Sequence, residues 1–187
     1  MPKFFPIIAF VGPAHAGKTT LIRELFKRHP NYISPLKSFT NRERLKPEDD
    51  IFYHYVSEEE ILDKHGRGEI VQYIEHNGKT FGSDKKHLEE TVKSRLGAQA
   101  YDVQGVLNLI DAGYNVIPIK IVSSTDPIES HPDHPDIIWA MTLVNDFSEG
   151  GMEKSIKQLE DFLHTALAKS ISERIAEETE QEEIPQS

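Results

Sequence analysis

Alternating strand and helix patterns predict an α/β fold: a three-layer core in which helices cover both faces of a parallel sheet. Three observations carry this expectation. A short apolar run, Phe4 to Val11, ends at Gly-Pro and leads through a glycine-rich loop straight into an amphipathic segment. Further short apolar runs alternate with helix-period segments along the rest of the chain. Between them lies a polar, aromatic-rich stretch, residues 31–83, broken by Pro35, Pro47, Gly66, Gly68 and Gly78. It has few residues from which to build a core, so it reads as a small mixed-β insertion rather than a second domain.

The first run reads as a buried strand by its length and flanks, and Pro6 suggests that it starts near a sheet edge. Thr19 to Arg28 places Leu21, Ile22, Leu25 and Phe26 at helical spacing. Within the insertion, Phe52 to Val56 reads as a strand, and Ser57 opens a helix with a capping-box pattern. Glu69 to Ile74 reads as a strand running into the turn His76-Asn77-Gly78-Lys79. Ser83 to Arg95 is predicted helical, Ala98 to Tyr101 a strand, and Gln104 to Ala112 a helix stopped by Gly113. Asn115 to Val122 is a strand, Ile137 to Val144 holds another, and Met152 to Lys169 is strongly helical in period.

At 187 residues and 37% hydrophobic content, the chain is expected to form one domain over residues 1–169. The Glu-rich residues 170–187 are expected to form a flexible tail, as a frayed helical extension or a disordered one. There are no cysteines, which excludes disulfides, thiolate metal sites and cysteine nucleophiles. A cytoplasmic setting is the default expectation. No apolar run approaches the roughly 20 residues needed to span a bilayer. The net charge of -10 argues against binding nucleic acid polymers. A small phosphate ligand stays compatible with that charge, because local geometry decides such binding, and the chain is expected to be a monomer or homodimer.

The chemistry is concentrated in Gly12-Pro13-Ala14-His15-Ala16-Gly17-Lys18-Thr19, a full match to G-x-x-x-x-G-K-[ST]. Glycines let the backbone curl so that several N–H groups point at phosphate oxygens, and the following helix adds its positive end. Lys18 supplies a mobile charge to the β- and γ-phosphates, and Thr19 offers a hydroxyl to Mg²⁺. Thr20 continues the same cradle. His15 reads as a solvent-facing loop position, since phosphoryl transfer relies mainly on positioning and charge.

With the segments downstream of this loop, the chain resembles the guanylate kinase family of nucleoside monophosphate kinases. Ser38-Phe39-Thr40-Asn41-Arg42 is similar to the family's Ser-x-Thr-Thr-Arg, and Phe52-Tyr53-His54-Tyr55-Val56 to its Asp-Tyr-His-Phe-Val. Gly68-Glu69, Phe81-Gly82-Ser83 and Asp102-Val103-Gln104-Gly105 resemble its Gly-Glu, Tyr-Gly-Ser and Asp-Val-Gln-Gly elements. The resemblance runs from Ile8 to Gly105 and resumes at Val144-Asn145-Asp146 through the last long helix. It implies a P-loop NTPase core in which the insertion binds the acceptor monophosphate. Arg42 and Arg44 would hold the acceptor phosphate, Tyr53 would donate its hydroxyl to it, Ser38 and Ser83 would contact the base, and Gln72 and Phe81 would complete the acceptor-binding set. Asn145 would contact ATP. Asp102 would be the carboxylate on the Mg²⁺ side, directly or through water. Lys18, Arg42 and Asp102 form the expected catalytic set, with ATP as donor and Mg²⁺ as cofactor.

Four departures limit the match. Gln72 stands where the family has a Glu that accepts from guanine, Ala100 where it has an Asp, and Phe81 where it has a Tyr. The fourth is the lid. Residues 123–136 are short and contain no arginine, and from Gly97 onward the sole arginine is Arg174. Lid arginines stabilise transition-state charge, so three outcomes are open: a slow kinase, one that uses Lys120 or a partner's arginine instead, or a chain that does not catalyse. The segment His131, Asp133, His134 and Asp136 reads as a solvated loop rather than a metal site. Three functions follow from these readings. The first is ATP-dependent phosphoryl transfer to a nucleoside monophosphate, GMP or dGMP first. The second is a kinase-like binding module with little or no turnover. The third is a kinase of another small phosphorylated acceptor.

Overall fold

The sheet grows outward from Ile7–Val11 (β1), a strand whose five residues are all buried. It is the central strand, not an edge: it pairs in parallel with Leu96–Tyr101 (β7) on one side and Val116–Ser123 (β8) on the other. Pro6 fits because it precedes the ladder rather than standing in it, and its carbonyl still accepts from Gly97 N at 3.2 Å. The computed structural model describes residues 5–124 and 134–182. Ile33–Pro35 (β2) and Met141–Asn145 (β9) complete a five-stranded sheet in the order β2-β7-β1-β8-β9, every pairing parallel.

Strand alternation divides β1 between two cores. Ile8 and Phe10 face one side, where they meet Leu21, Ile22 and Leu25 of Lys18–Arg28 (α1) and Ile156, Leu159 and Leu163 of Gly151–Glu182 (α5). Ile7, Ala9 and Val11 face the other, against Leu88 and Val92 of Lys85–Val92 (α3) and Val106 and Leu109 of Val103–Asp111 (α4). This is the expected three-layer arrangement. Helix α5 runs beyond Lys169 as far as Glu182, so the backbone of residues 170–182 is a helical extension.

The insertion forms its own mixed sheet from Ser38–Thr40 (β3), Tyr53–Tyr55 (β4), Ile70–His76 (β5) and Lys79–Asp84 (β6), in the order β4-β3-β6-β5. Three strands escaped the sequence reading. β2 lies inside the stretch assigned to the insertion but pairs with core strand β7. β3 and β6 are too short and polar to show a period. The turn at Asn77-Gly78 closes a β5–β6 hairpin with both residues at positive φ. The helix Glu58–Gly66 (α2) is capped as expected, Ser57 Oγ accepting from Glu60 N at 3.2 Å. Among the described residues, no helix is long and apolar enough to cross a membrane. Most of the expected lid, residues 125–133, lies outside the described residues.

Candidate active site

The loop between β1 and α1 needs glycine at both ends. A β-carbon on Gly12 would overlap the Ile121 carbonyl oxygen of neighbouring β8. Gly17 caps α1 at φ 85°, where a β-carbon would also overlap the Asn145 side-chain amide. His15 sits at φ 64° and is exposed, in keeping with a solvent-facing role. The Lys18 ammonium donates to the carbonyls of Gly12 at 2.8 Å and Pro13 at 2.6 Å. Burial pulls its pKa below the ordinary lysine value. Thr19, next in the chain, is half-buried, and Thr20 is exposed.

Asn145 lies directly behind the loop. Its side chain is completely buried, Nδ2 donating to Ala16 O at 2.9 Å and Oδ1 accepting from Ser155 Oγ at 3.1 Å. With each end of the amide engaged, it braces the phosphate loop from behind.

In the insertion, strand register gathers residues far apart in sequence. β3 pairs with β4 in parallel and with β6 antiparallel, which sets Ser38 opposite both Tyr53 and Ser83. Gln72 enters from β5 beside an irregularity in the β5–β6 ladder between Ile70 and Tyr73. Ser83 Oγ donates to Gln72 Oε1 at 3.2 Å, and both residues are buried. Gln72 Nε2 packs against Gly105 of α4, where a β-carbon would come within 2.7 Å. A cleft of about 230 Å³ joins these groups to the loop: Gly12, Ala14 and Lys18 line it together with Ser38, Tyr53, Gln72, Phe81, Ser83 and Asp102.

Arg42 lies at the rim, its guanidinium 4.1 Å from the centre of the Tyr53 ring. Asp49, which the sequence reading missed, holds it. The residue is buried, and its carboxylate accepts from Arg42 Nη2 at 2.9 Å and from Arg23 Nη2 of α1 at 3.5 Å. Three acids in a row, Glu48-Asp49-Asp50, look like a solvated turn; only the 3-10 turn Pro47–Ile51 shows that the middle one faces inward. The Tyr53 hydroxyl is held above its ordinary pKa by burial, with Arg42 pulling the other way. Arg44 is not gathered in. It is half exposed and paired with Asp50.

Asp102 is the N-cap of α4, with Oδ1 accepting from Gly105 N at 2.7 Å. The same side chain lines the cleft with Lys18, so the cap fixes a carboxylate at the carboxyl end of β7. Among the described residues no cluster of His, Asp and Glu could hold a metal unaided. Mg²⁺ asks for one or two protein oxygens beside substrate phosphates, and the donor chemistry of a Thr19 hydroxyl and an Asp102 carboxylate would be of that kind.

Three other positions separate. Lys120 is buried, its ammonium 5.9 Å from the centre of the Trp139 ring, and it is not among the residues lining the cleft. His134 and Asp136 sit 3.7 Å apart, while His131 and Asp133 lie outside the described residues. Gln99, also missed, lines the cleft from β7 and donates to Ser38 Oγ at 2.7 Å. Its signal was a lone amide in an otherwise apolar strand.

The guanylate kinase family model matches residues 6–133 of this chain. The chain belongs to the guanylate kinase family. The match ends before Val144-Asn145-Asp146, where the sequence resemblance resumed. A guanylate kinase of Chlamydia felis is 35% identical over 112 residues, covering 58% of this chain and 53% of that protein. One from Thermotoga maritima is 30% identical over 116 residues, covering 62% and 56%. The chain thus spans about half the length of the curated relatives it matches. A solved guanylate kinase from Anaplasma phagocytophilum superposes with a TM-score of 0.64 at 19% identity, covering 88% of this chain and 87% of that one. At that identity the likeness establishes the guanylate kinase fold alone.

Proposed function

We propose that the chain transfers the γ-phosphoryl group of ATP to a nucleoside monophosphate, with GMP or dGMP the first acceptors to test. One observation carries the reading: a single cleft joins the phosphate loop and Lys18 to the buried polar set of Ser38, Gln72 and Ser83, with Asp102 between. Two phosphate-bearing ligands entering it from opposite sides would meet at Lys18. Backbone N–H groups and Lys18 would hold the donor phosphates, and Arg42, stacked on Tyr53, would orient the acceptor phosphate. Mg²⁺, held by Thr19 and Asp102 with the nucleotide, supplies charge neutralisation when bound. The test is ADP release measured over a panel of nucleoside and deoxynucleoside monophosphates. Turnover of one or two acceptors is expected; no turnover with any acceptor removes the reading.

A second reading, nucleotide binding without efficient transfer, draws on three local features. Residues 123–136 carry no arginine, Ala100 stands where the family has an acid, and Lys120 is turned toward Trp139. Calorimetric binding of ATP and GMP without product would favour it, and rapid turnover would eliminate it.

A further inference from the structure

The cleft contains a polar atom that neither the loop nor the expected acceptor set uses. Gln99 is 5% exposed and lines the cleft from β7. Its amide nitrogen is engaged, donating to Ser38 Oγ at 2.7 Å. Its amide oxygen is buried and has no hydrogen-bond partner. Buried acceptors left unpaired are costly, so a folded protein rarely keeps one without a use. The other amide in the cleft offers no relief, because Gln72 Oε1 accepts from Ser83. Ser38 and Ser83 face each other across the β3–β6 ladder, so the two amides and two hydroxyls form one polar patch. Gln99 Oε1 is its unspent acceptor. Two residues further along the same face of β7, the buried Tyr101 lines the same cleft.

This patch carries no formal charge. A carboxylate would attract any cationic or N–H-rich edge, whereas a fixed amide oxygen selects by geometry for a neutral N–H donor. Among nucleobase groups, the exocyclic amine is the donor that distinguishes otherwise similar bases. We propose that Gln99 is a specificity-determining residue whose amide oxygen accepts a hydrogen bond from the exocyclic amine of the acceptor base. The chain thereby selects amino-bearing nucleoside monophosphates over their deamino counterparts. This rests on the reading of the cleft as an acceptor site and adds a base-reading residue to it.

The test compares binding by calorimetry of two pairs, GMP with IMP and AMP with purine riboside monophosphate. It uses the full chain and its Gln99→Met, Gln99→Leu and Gln99→Glu variants. The unaltered chain should bind the amino-bearing member of at least one pair about tenfold more tightly, because a site built to pair a donor rejects the ligand lacking it. Gln99→Met should bring that ratio close to one, even where the lost bond to Ser38 Oγ weakens binding of both members alike. Gln99→Leu, a smaller side chain, should do the same and serves if Gln99→Met does not fold. Gln99→Glu keeps an acceptor and should preserve the preference. An unchanged ratio in Gln99→Met or Gln99→Leu overturns the proposal, as does a preference of the unaltered chain for the deamino members. If the unaltered chain binds none of the four nucleotides, the acceptor reading itself falls, and the role of Gln99 with it.

Discussion

The two sides of the cleft are built from different materials. On the donor side, consecutive residues from Gly12 to Thr19 do the work largely through backbone, shaped by glycine and backed by Asn145. On the acceptor side the groups are side chains drawn from β3, β4, β5, β6 and β7, each positioned by register or by a neighbouring pair. The backbone cradle tolerates little change, because its geometry and its chemistry are the same atoms. The side-chain set can change one contact at a time. Three of the four departures from the family pattern, Gln72, Phe81 and Ala100, line the cleft, where a substitution would alter the ligand without collapsing the site.

The sharpest way to break this comparison is to remove charge from the donor side. Lys18→Met should lower turnover on the order of a thousandfold, since preorganised charge at the transferring group dominates such reactions. Its melting temperature should stay near that of the unaltered chain, because the ammonium bonds only to carbonyls of its own loop. A matched loss of stability would show Lys18 to be structural instead.

Gly17→Ala should abolish ATP binding and destabilise by roughly 1–3 kcal/mol, combining positive φ with overlap on Asn145. Gly113→Ala is the control. It shares the left-handed backbone, at φ 84°, but has open space around it, so its cost should stay near 1 kcal/mol with binding intact. Thermal melts and ATP titration of both variants separate backbone strain from the cradle. Asn145→Ala should cost about 2 kcal/mol by stranding Ala16 O and Ser155 Oγ. An effect confined to ATP affinity, with no loss of stability, would return Asn145 to the role of direct ligand.

On the acceptor side the expected effects are smaller and separable. Arg42→Lys should raise the acceptor KM about tenfold while leaving the ATP KM unchanged, because lysine can neither stack as well on Tyr53 nor present a planar fork. Arg44→Ala should change either KM by no more than about threefold, since this exposed side chain pairs with Asp50 at the surface. Should Arg44→Ala match the loss from Arg42→Lys, the loop would have to rearrange around the acceptor phosphate.

Residues 12–19 were readable because a phosphate cradle is a local object. Its glycine spacing, the apolar strand before it and the periodic helix after it are contiguous, and their chemistry follows from backbone geometry. The three-layer core was readable for a similar reason, since burial on both faces leaves continuous apolar runs such as β1. Tertiary structure decided what depends on two distant segments meeting. It made β1 central despite Pro6, moved Ile33–Pro35 into the core sheet, and turned Asn145 inward onto Ala16. It also chose Asp49 out of three adjacent acids to hold Arg42, and set Gln99 against Ser38, 61 residues away. A hydrogen bond across that separation leaves no period or spacing in the chain. It exists only once the strands are in register.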